Sequence, residues 1–180
     1  RLLLRADSDA ALTQRLEDLI GFWGWTDFHD KRARLKAYRG DAARPNFGLH
    51  DAQYAELVGE CTHVIHSAGT VRMNLSIEDA RRSAVGSAQE TVNYARRLAA
   101  GGRLRKFEYV STVGVAGKRP GALPEIWMDE PRAFHNTYEQ AKAACLEAFK
   151  NGFRKVDCAT AYRVEGAVGE AMKESGIPRE

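Results

Sequence analysis

The chain has 180 residues, of which 44% are hydrophobic and 28% are charged, and its formal net charge is +3 at pH 7. It is long enough for one domain with a sizeable core and too short for two comfortable ones. The basic residues are scattered, so a nucleic-acid partner is not indicated. We also predict neither a secretory leader nor a membrane span, since no apolar run approaches the roughly 20 residues that a span needs.

Strands and helices are predicted in alternation along the chain, which begins at Arg1 inside an apolar run, as expected of an excised or processed piece. Short apolar runs that stop at Gly or polar residues predict strands over residues 2–4, 34–39, 62–67, 106–111 and 153–159. Apolar residues at helical spacing predict helices over residues 8–20, 51–58, 76–100, 136–150 and 165–174.

This alternation predicts an α/β fold. Val64 and Ile65 are adjacent in the third predicted strand, a pattern typical of a strand buried on both faces. Strands that alternate with helices imply a parallel sheet, in which right-handed crossovers place helices on both faces. We therefore expect a doubly wound parallel sheet.

One pattern in the sequence indicates chemistry. Tyr138 and Lys142 are four residues apart on a predicted helix, so they lie on the same face of it. Ser111 and Thr112 end the preceding strand, and a hydroxyl there that faces the pair would complete a site that polarises a carbonyl and protonates it. Alone, such a pair would more often be a core aromatic and a surface charge; the upstream hydroxyls reverse that preference and favour the site.

From Arg1 to about Cys145 the chain resembles the extended short-chain dehydrogenase/reductases, and within them the thioester reductase and fatty acyl-CoA reductase group. Five stretches carry the resemblance, and they occur in the order that the family has. The stretches are Leu3-Leu4-Arg5-Ala6, Tyr38-Arg39-Gly40-Asp41, His66-Ser67-Ala68-Gly69-Thr70-Val71, Tyr109-Val110-Ser111-Thr112-Val113-Gly114-Val115 and the Tyr138/Lys142 pair.

The resemblance implies catalytic roles for three residues. Tyr138 would protonate the carbonyl oxygen as hydride arrives from NADPH, and Lys142 would lower the pKa of Tyr138 and hold the nicotinamide ribose. Thr112 would orient the carbonyl, with Ser111 the less favoured group for that role.

The resemblance also implies cofactor contacts. Arg5 would meet the adenosine 2′-phosphate, with Arg15 as a second contact, and together they favour NADPH over NADH. Asp41 would read the adenine amino group, and Ala68-Gly69 would let the cofactor approach the backbone closely. The alternatives are that the two arginines are exposed cations and that Asp41 is a turn residue.

The family's first strand and its Gly-rich phosphate turn do not precede Arg5 in this sequence. The resemblance therefore implies an incomplete Rossmann-like sheet with a gap between the strands 2–4 and 62–67. Unpaired backbone groups in such a gap are costly. We expect another segment or chain to fill it, which leaves self-association open, or the first two strands to separate from the rest. The strand 153–159 is the intramolecular candidate, but we favour a position for it on the outer side of the strand 106–111.

The tail, residues 151–180, resembles the aldo-keto reductases. Gly152-Phe153-Arg154 is followed by Asp157, Tyr162 and Glu165 at the spacing of that family's barrel strand and catalytic loop. Asp157 and Tyr162 match its catalytic Asp and Tyr, but a whole barrel needs about 250 residues. We therefore expect the tail to act as one further strand, loop and helix packed on an NAD(P)-binding Rossmann-like domain of residues 1–150.

The origin of this junction has several explanations. A natural fusion, a gene-model error and a deliberate chimera all fit. A fourth is a circularly permuted dinucleotide fold, in which the tail strand fills the gap and Gly166-Ala167-Val168-Gly169 imitates a phosphate turn.

Cysteine and histidine patterns indicate no metal site. Cys61, Cys145 and Cys158 are far apart, which predicts reduced thiols in a cytoplasmic protein. His63 and His66 are three residues apart in a predicted strand, so they should point to opposite faces rather than to one metal ion.

The sequence thus leads to two hypotheses of different classes. The first is an NADPH-dependent reductase that acts on an acyl thioester or on the aldehyde derived from it. The second is a non-catalytic fragment or chimeric scaffold with at most weak nucleotide binding.

Overall fold

The structure is a computed structural model, and it describes residues 1–24, 32–122, 130–148 and 156–157. The five strands are β1 (Leu2–Leu4), β2 (Ala37–Arg39), β3 (His63–His66), β4 (Lys106–Val110) and β5 (Val156–Asp157). The five α-helices are α1 (Asp9–Phe22), α2 (Asp51–Glu60), α3 (Ile77–Arg81), α4 (Ser87–Ala100) and α5 (Thr137–Ala148). None of these helices is both long enough and apolar enough to cross a bilayer.

The strands form two sheets within the described residues. β1 pairs with β2 in parallel, with Leu3 opposite Tyr38. β3, β4 and β5 form the other sheet in that order, and β5 is parallel to β4, with Tyr109 opposite Val156. Of the two outcomes expected for the gap, the separation of the first two strands from the rest is the one observed, and the favoured outer position of the tail strand beside β4 is confirmed. The other residues of the predicted strand 153–159, and the predicted helix 165–174, lie outside the described residues.

Two details of the predicted elements are wrong. Ile65 is 66% exposed, whereas Val64 and His66 are buried, so β3 alternates instead of burying both faces. The predicted continuous helix over residues 76–100 is interrupted by a π-helical turn, Arg82–Gly86, between α3 and α4. The opposite orientations predicted for His63 and His66 are confirmed, because His63 is exposed and His66 is buried.

Contacts divide the chain into two compact units. The first comprises Arg1–Val64 and Gly86–Phe107, and the second comprises Ile65–Val85 and Glu108–Glu180, so the boundary runs through β3 and β4.

The core of the first unit is aromatic. The rings of Phe47, Tyr54 and Tyr94 pack edge-on or tilted, with centroids 5.4 to 5.8 Å apart, which is the geometry that ring quadrupoles favour. The Tyr94 hydroxyl donates to the Leu57 carbonyl at 2.8 Å, so its polar end is satisfied inside the core. The cluster joins α2 and α4 and is the first unit's main source of hydrophobic stabilisation.

A short 3-10 turn, Pro45–Gly48, carries Phe47 into this core with backbone φ of +62°. Non-glycine residues rarely adopt positive φ, so the burial of the ring offsets local strain of about 1 kcal/mol or more. The Phe47 carbonyl accepts a hydrogen bond from the Asp41 N–H at 2.8 Å. The turn thus fixes the loop that follows β2.

In the second unit, hydrogen bonds fasten the segments around α5. Thr137, its first residue, donates its hydroxyl to the Leu75 carbonyl at 3.0 Å. The Asn136 side-chain oxygen accepts from the Glu139 N–H at 2.9 Å, as an N-cap residue does. Arg132 Nε donates to the Val115 carbonyl at 2.7 Å. The start of α5 is therefore tied to the loops after β3 and β4.

Candidate active site

The end of β4 presents two buried hydroxyls. Thr112 begins a 3-10 turn, Val113–Ala116, and its side-chain oxygen accepts from the Gly114 N–H at 3.3 Å. This leaves the Thr112 O–H free to donate elsewhere, because a hydroxyl accepts and donates independently. The Ser111 oxygen is buried and has no hydrogen-bond partner among the described residues. Both predicted orienting groups thus lie at the strand end.

Lys142 reaches this strand end from α5. Its side chain is only 6% exposed, and Nζ donates to the Val110 carbonyl at 3.2 Å, two residues before Thr112. Tyr138 lies one helical turn earlier on α5 and is half-buried. The spacing of four residues places both side chains on one face of the helix. The structure therefore brings the predicted Lys142 to the predicted strand end.

Burial governs the electrostatics of Lys142. Loss of water lowers the pKa of Lys142, and Cys145, one turn further along α5, acts in the opposite direction. The Lys142 Nζ lies 4.9 Å from the centre of the Tyr109 ring. That ring stacks on His66, with centroids 5.3 Å apart and an interplanar angle of 28°. Burial, and then the charge of Lys142, lower the pKa of His66 to about 4.

Gly69 borders the same ammonium. Its φ is +154°, and a Cβ at this position would lie 3.6 Å from Lys142 Nζ. A residue without a side chain therefore keeps the space beside the ammonium open. The predicted backbone approach at Ala68-Gly69 thus lies next to Lys142, and Ala68 is exposed.

The first unit contains a cavity of about 680 Å³ at the ends of β1 and β2. Arg5 and Asp41 both line it, and Arg5 Nη2 donates to Asp41 Oδ1 at 2.9 Å. Partial burial raises the pKa of Asp41, but hydrogen bonds from the Ala43 N–H and from Arg5 outweigh it and lower this pKa overall. Arg39 and Arg44 also line the cavity.

Such a cavity has the size of a small-molecule site. Its lining combines three guanidinium groups, which suit a phosphate, with the carboxylates of Asp7, Asp9 and Asp41, and Asp9 and Asp41 pair with Arg39 and Arg5. Arg15 is exposed on α1, and it is not among the described residues that line the cavity. Its role as a second phosphate contact stays a prediction.

Sequence reasoning assigned no role to four residues that the structure brings to these places. They are Tyr109 and His66 beside Lys142, and Arg39 and Arg44 in the cavity. His66 alternates with Val64 on the buried face of β3, and Tyr109 precedes the strand-end hydroxyls by two residues. His66 and Tyr109 each lay inside a quoted motif, but only the pairing of the strands brings the rings together. Within the described residues, no group of three or more His, Cys, Asp and Glu side chains could hold a metal ion.

The NAD-binding family described as "Male sterility protein" matches residues 1–172. The isonitrile lipopeptide synthase of Streptomyces coeruleorubidus is 27% identical over 169 residues, which are 92% of this chain and 11% of that protein. The citrinin polyketide synthase of Monascus ruber is 28% identical over 150 residues, 79% of this chain and 6% of that protein. A glycerol 2-dehydrogenase (NADP+) of Saccharomyces cerevisiae is 52% identical over 58 residues, 32% of this chain and 18% of that protein.

Two solved structures share the fold. The terminal R domain of the myxalamid PKS-NRPS pathway has a TM-score of 0.67 and 24% identity, covering 87% of this chain and 40% of that one. The reductase (R) domain of a nonribosomal peptide synthetase from Mycobacterium tuberculosis has a TM-score of 0.56 and 22% identity, covering 79% and 35%. This likeness confirms the predicted α/β, Rossmann-like fold. The chain spans about a tenth or less of the two synthases and at most two fifths of the R-domain chains.

Proposed function

Because this chain belongs to the NAD-binding family described as "Male sterility protein", we propose that it serves the NADPH-dependent reduction of an acyl thioester or of the aldehyde derived from it. The single observation that carries the proposal is the hydrogen bond that holds Lys142 Nζ at the end of β4, beside Thr112 and on the helix of Tyr138. The similarity to reductase domains of peptide and polyketide synthases supports the thioester as substrate.

Each unit, taken by itself, has residues that suit part of a nicotinamide dinucleotide. Arg5, Asp41 and the cavity around them suit an adenosine with a 2′-phosphate, which is why we propose NADPH rather than NADH. The backbone at Gly69 leaves room for a ligand beside Lys142. When bound, the cofactor supplies the hydride that reduces the carbonyl carbon.

We assign the proton chemistry to three side chains. Thr112 donates its hydroxyl to the substrate carbonyl and orients it, with Ser111 as the alternative donor. Tyr138 gives its phenolic proton to the carbonyl oxygen as the carbon accepts hydride, and the Lys142 ammonium stabilises the phenolate that remains. Collapse of the reduced thioester then releases a thiol and an aldehyde.

The test is NADPH consumption, followed by absorbance, with a panel of acyl-CoAs and long-chain aldehydes. Tyr138→Phe removes the proton donor and should lower the rate by about 10²-fold or more. Tyr54→Phe, which alters a buried tyrosine of the first unit's core, is the matched control and should keep the rate. Equal rates for wild type and Tyr138→Phe would contradict the proposal.

A second proposal, a non-catalytic fragment or chimeric scaffold, is favoured by one observation: the described strands form two sheets instead of one. Titration with NADPH, followed by fluorescence or calorimetry, separates the two. Saturable binding near micromolar affinity, about −8 kcal/mol, supports the reductase. No binding at millimolar cofactor supports the scaffold.

We also propose that residues 151–180 derive from an aldo-keto reductase and act here as a strand, loop and helix, without the catalysis of that family. The spacing of Gly152-Phe153-Arg154, Asp157, Tyr162 and Glu165 supports this proposal. A 58-residue stretch of the chain is also 52% identical to a dehydrogenase, whereas the synthases are 27–28% identical over most of the chain. A cytoplasmic location is the companion proposal, from the sparse cysteines.

A further inference from the structure

The Lys142 ammonium is a buried charge, and few of the described groups stabilise it. The Val110 carbonyl accepts one of its three N–H donors. No carboxylate in the described part of the chain forms an ion pair with it, and burial lowers the pKa of Lys142. Burying a charge without a compensating interaction is expensive. A second favourable interaction is therefore needed to keep the ammonium at the strand end.

The Tyr109 ring is in position to supply that interaction. Its centroid lies 4.9 Å from Lys142 Nζ, within the roughly 6 Å over which the negative face of an aromatic ring attracts a cation. The attraction is stronger where water is excluded, and both side chains are buried. The ring and the Val110 carbonyl come from successive residues of β4.

His66 fixes the plane of that ring. The stack between them has a centroid distance of 5.3 Å, and both rings are buried. With a pKa of about 4, His66 is neutral near pH 7 and adds no positive charge beside the ammonium. Among the described residues, Cys145 and Tyr138 of α5 act on Tyr109, and Cys145 also acts on Lys142.

We propose that Tyr109 is a positioning residue, whose ring, stacked on His66, holds the Lys142 ammonium at the end of β4 by a cation–π contact. The inference rests on the proposed function, because Lys142 acts on substrate through Tyr138. It assigns the ring, and not the hydroxyl, of Tyr109 to this task. Tyr109→Phe is consequently the conservative variant, and replacements that weaken the ring's negative face are the disruptive ones.

The experiment measures the pKa of Lys142 directly, without cofactor or substrate. Lysine labelled with ¹³C at Cε is titrated by NMR, and the Lys142 signal is assigned by its loss in Lys142→Arg. Tyr109→Leu should lower the Lys142 pKa by about one unit, the shift that corresponds to about 1.4 kcal/mol. Incorporation of 3,4,5-trifluorophenylalanine at position 109 keeps the shape of the ring, cancels most of its negative face and should lower the pKa similarly. It serves as the second test if the Leu variant does not fold.

Tyr109→Phe should retain the wild-type Lys142 pKa. Tyr54→Leu is the matched control, because Tyr54 is a buried ring with a cation, Arg97, 5.2 Å from its centroid in the other unit; it should leave the Lys142 signal unmoved. An unchanged Lys142 pKa in the trifluorophenylalanine protein, or an equal fall in Tyr109→Phe, would overturn the inference. A shifted pKa in a chain that does not consume NADPH would uphold the inference and reject the proposed function, so the two fail separately.

Discussion

Burial affects two bases of the site, His66 and Lys142, but their surroundings differ. His66 has its pKa lowered to about 4 and presents a neutral ring to Tyr109 near pH 7. Lys142 also has a lowered pKa, yet the Val110 carbonyl and the Tyr109 ring favour its charged form. The site therefore combines one neutral base with one ammonium in a single buried cluster.

The His66 pKa predicts a loss of stability in mild acid. The unfolded chain takes up a proton on His66 near pH 6.5 and the folded chain only near pH 4, so the free energy of unfolding falls as pH drops through that window. The shift in the His66 pKa corresponds to about 3 kcal/mol of folding stability. This stability is fully present above pH 6.5 and is lost once the pH has fallen below 4. Urea denaturation at a series of pH values measures it.

His66→Phe is the control for this prediction, since it keeps a ring against Tyr109 and cannot titrate. The difference in unfolding free energy between wild type and His66→Phe should change by about 3 kcal/mol across the window. If the free energy of unfolding changed with pH in the same way in both proteins, His66 would not be buried as described.

At this scale the sequence indicated where the proposed catalytic groups lie better than what packs around them. Tyr138 and Lys142 share a helix face through their spacing, and Thr112 follows the end of a strand, both local properties, whereas their catalytic roles stay a proposal. The stack of His66 on Tyr109 depends on the alignment of β3 with β4, two strands about 40 residues apart in sequence, and no local pattern encodes it.

Among the elements, the 3-10 turn after β4 carries the strictest local requirement. Gly117 ends it with φ of +66° and ψ of −148°, a region that is essentially restricted to glycine. A Cβ there would overlap the carbonyl oxygen of Ala133. That carbonyl accepts from the Lys118 N–H at 2.8 Å, so it cannot move away without losing a hydrogen bond.

Gly117→Ala should therefore lower the free energy of unfolding by about 2–4 kcal/mol, from backbone strain and overlap together. Gly59→Ala is the same substitution in the last turn of α2, where a Cβ would contact nothing within 4 Å. It should raise stability by about 0.5–1 kcal/mol. Denaturant midpoints of the two variants should lie on opposite sides of the wild type; a destabilised Gly59→Ala or a neutral Gly117→Ala would contradict this account.

Element type was predicted more reliably than element continuity. Buried Ala80, Ala84 and Ala88 recur every four residues, which looks like one uninterrupted helix. The π-helical turn between α3 and α4 adds a residue to a single turn, and hydrophobic periodicity does not detect such a change. The exposed Ile65 was likewise predicted wrongly, since two adjacent apolar residues do not reveal whether both faces of a strand are covered.

For the whole molecule, the two groups of proposed functional residues fall in different contact units. Arg5 and Asp41 belong to the first unit, whereas Thr112, Tyr138 and Lys142 belong to the second. Sequence reasoning predicted either that β1 and β2 would separate from the other strands or that another segment or chain would fill the gap between them and β3, and the first outcome is observed. It did not predict the boundary through β3 and β4, since long-range contacts decide where one unit ends.

Cofactor preference should depend on the first unit. Arg5→Ala should weaken NADPH binding by about 10- to 100-fold, through loss of a charge-assisted hydrogen bond, and should leave NADH binding nearly unchanged. Arg15→Ala is the comparison variant, and its effect should be smaller because Arg15 does not line the described cavity. Calorimetric titration with both cofactors measures this. Equal effects of the two substitutions on NADPH would reject the assignment of Arg5.

The interleaved order of the two units bears on genetic recombination. The chain leaves the first unit for the last time between Phe107 and Glu108. A gene crossover downstream of that point exchanges part of the second unit and leaves every residue of the first unchanged. A crossover in the codons near residue 150 would also preserve Thr112, Tyr138 and Lys142. Recombination at such a place can replace the end of the protein while its proposed catalytic groups are inherited intact.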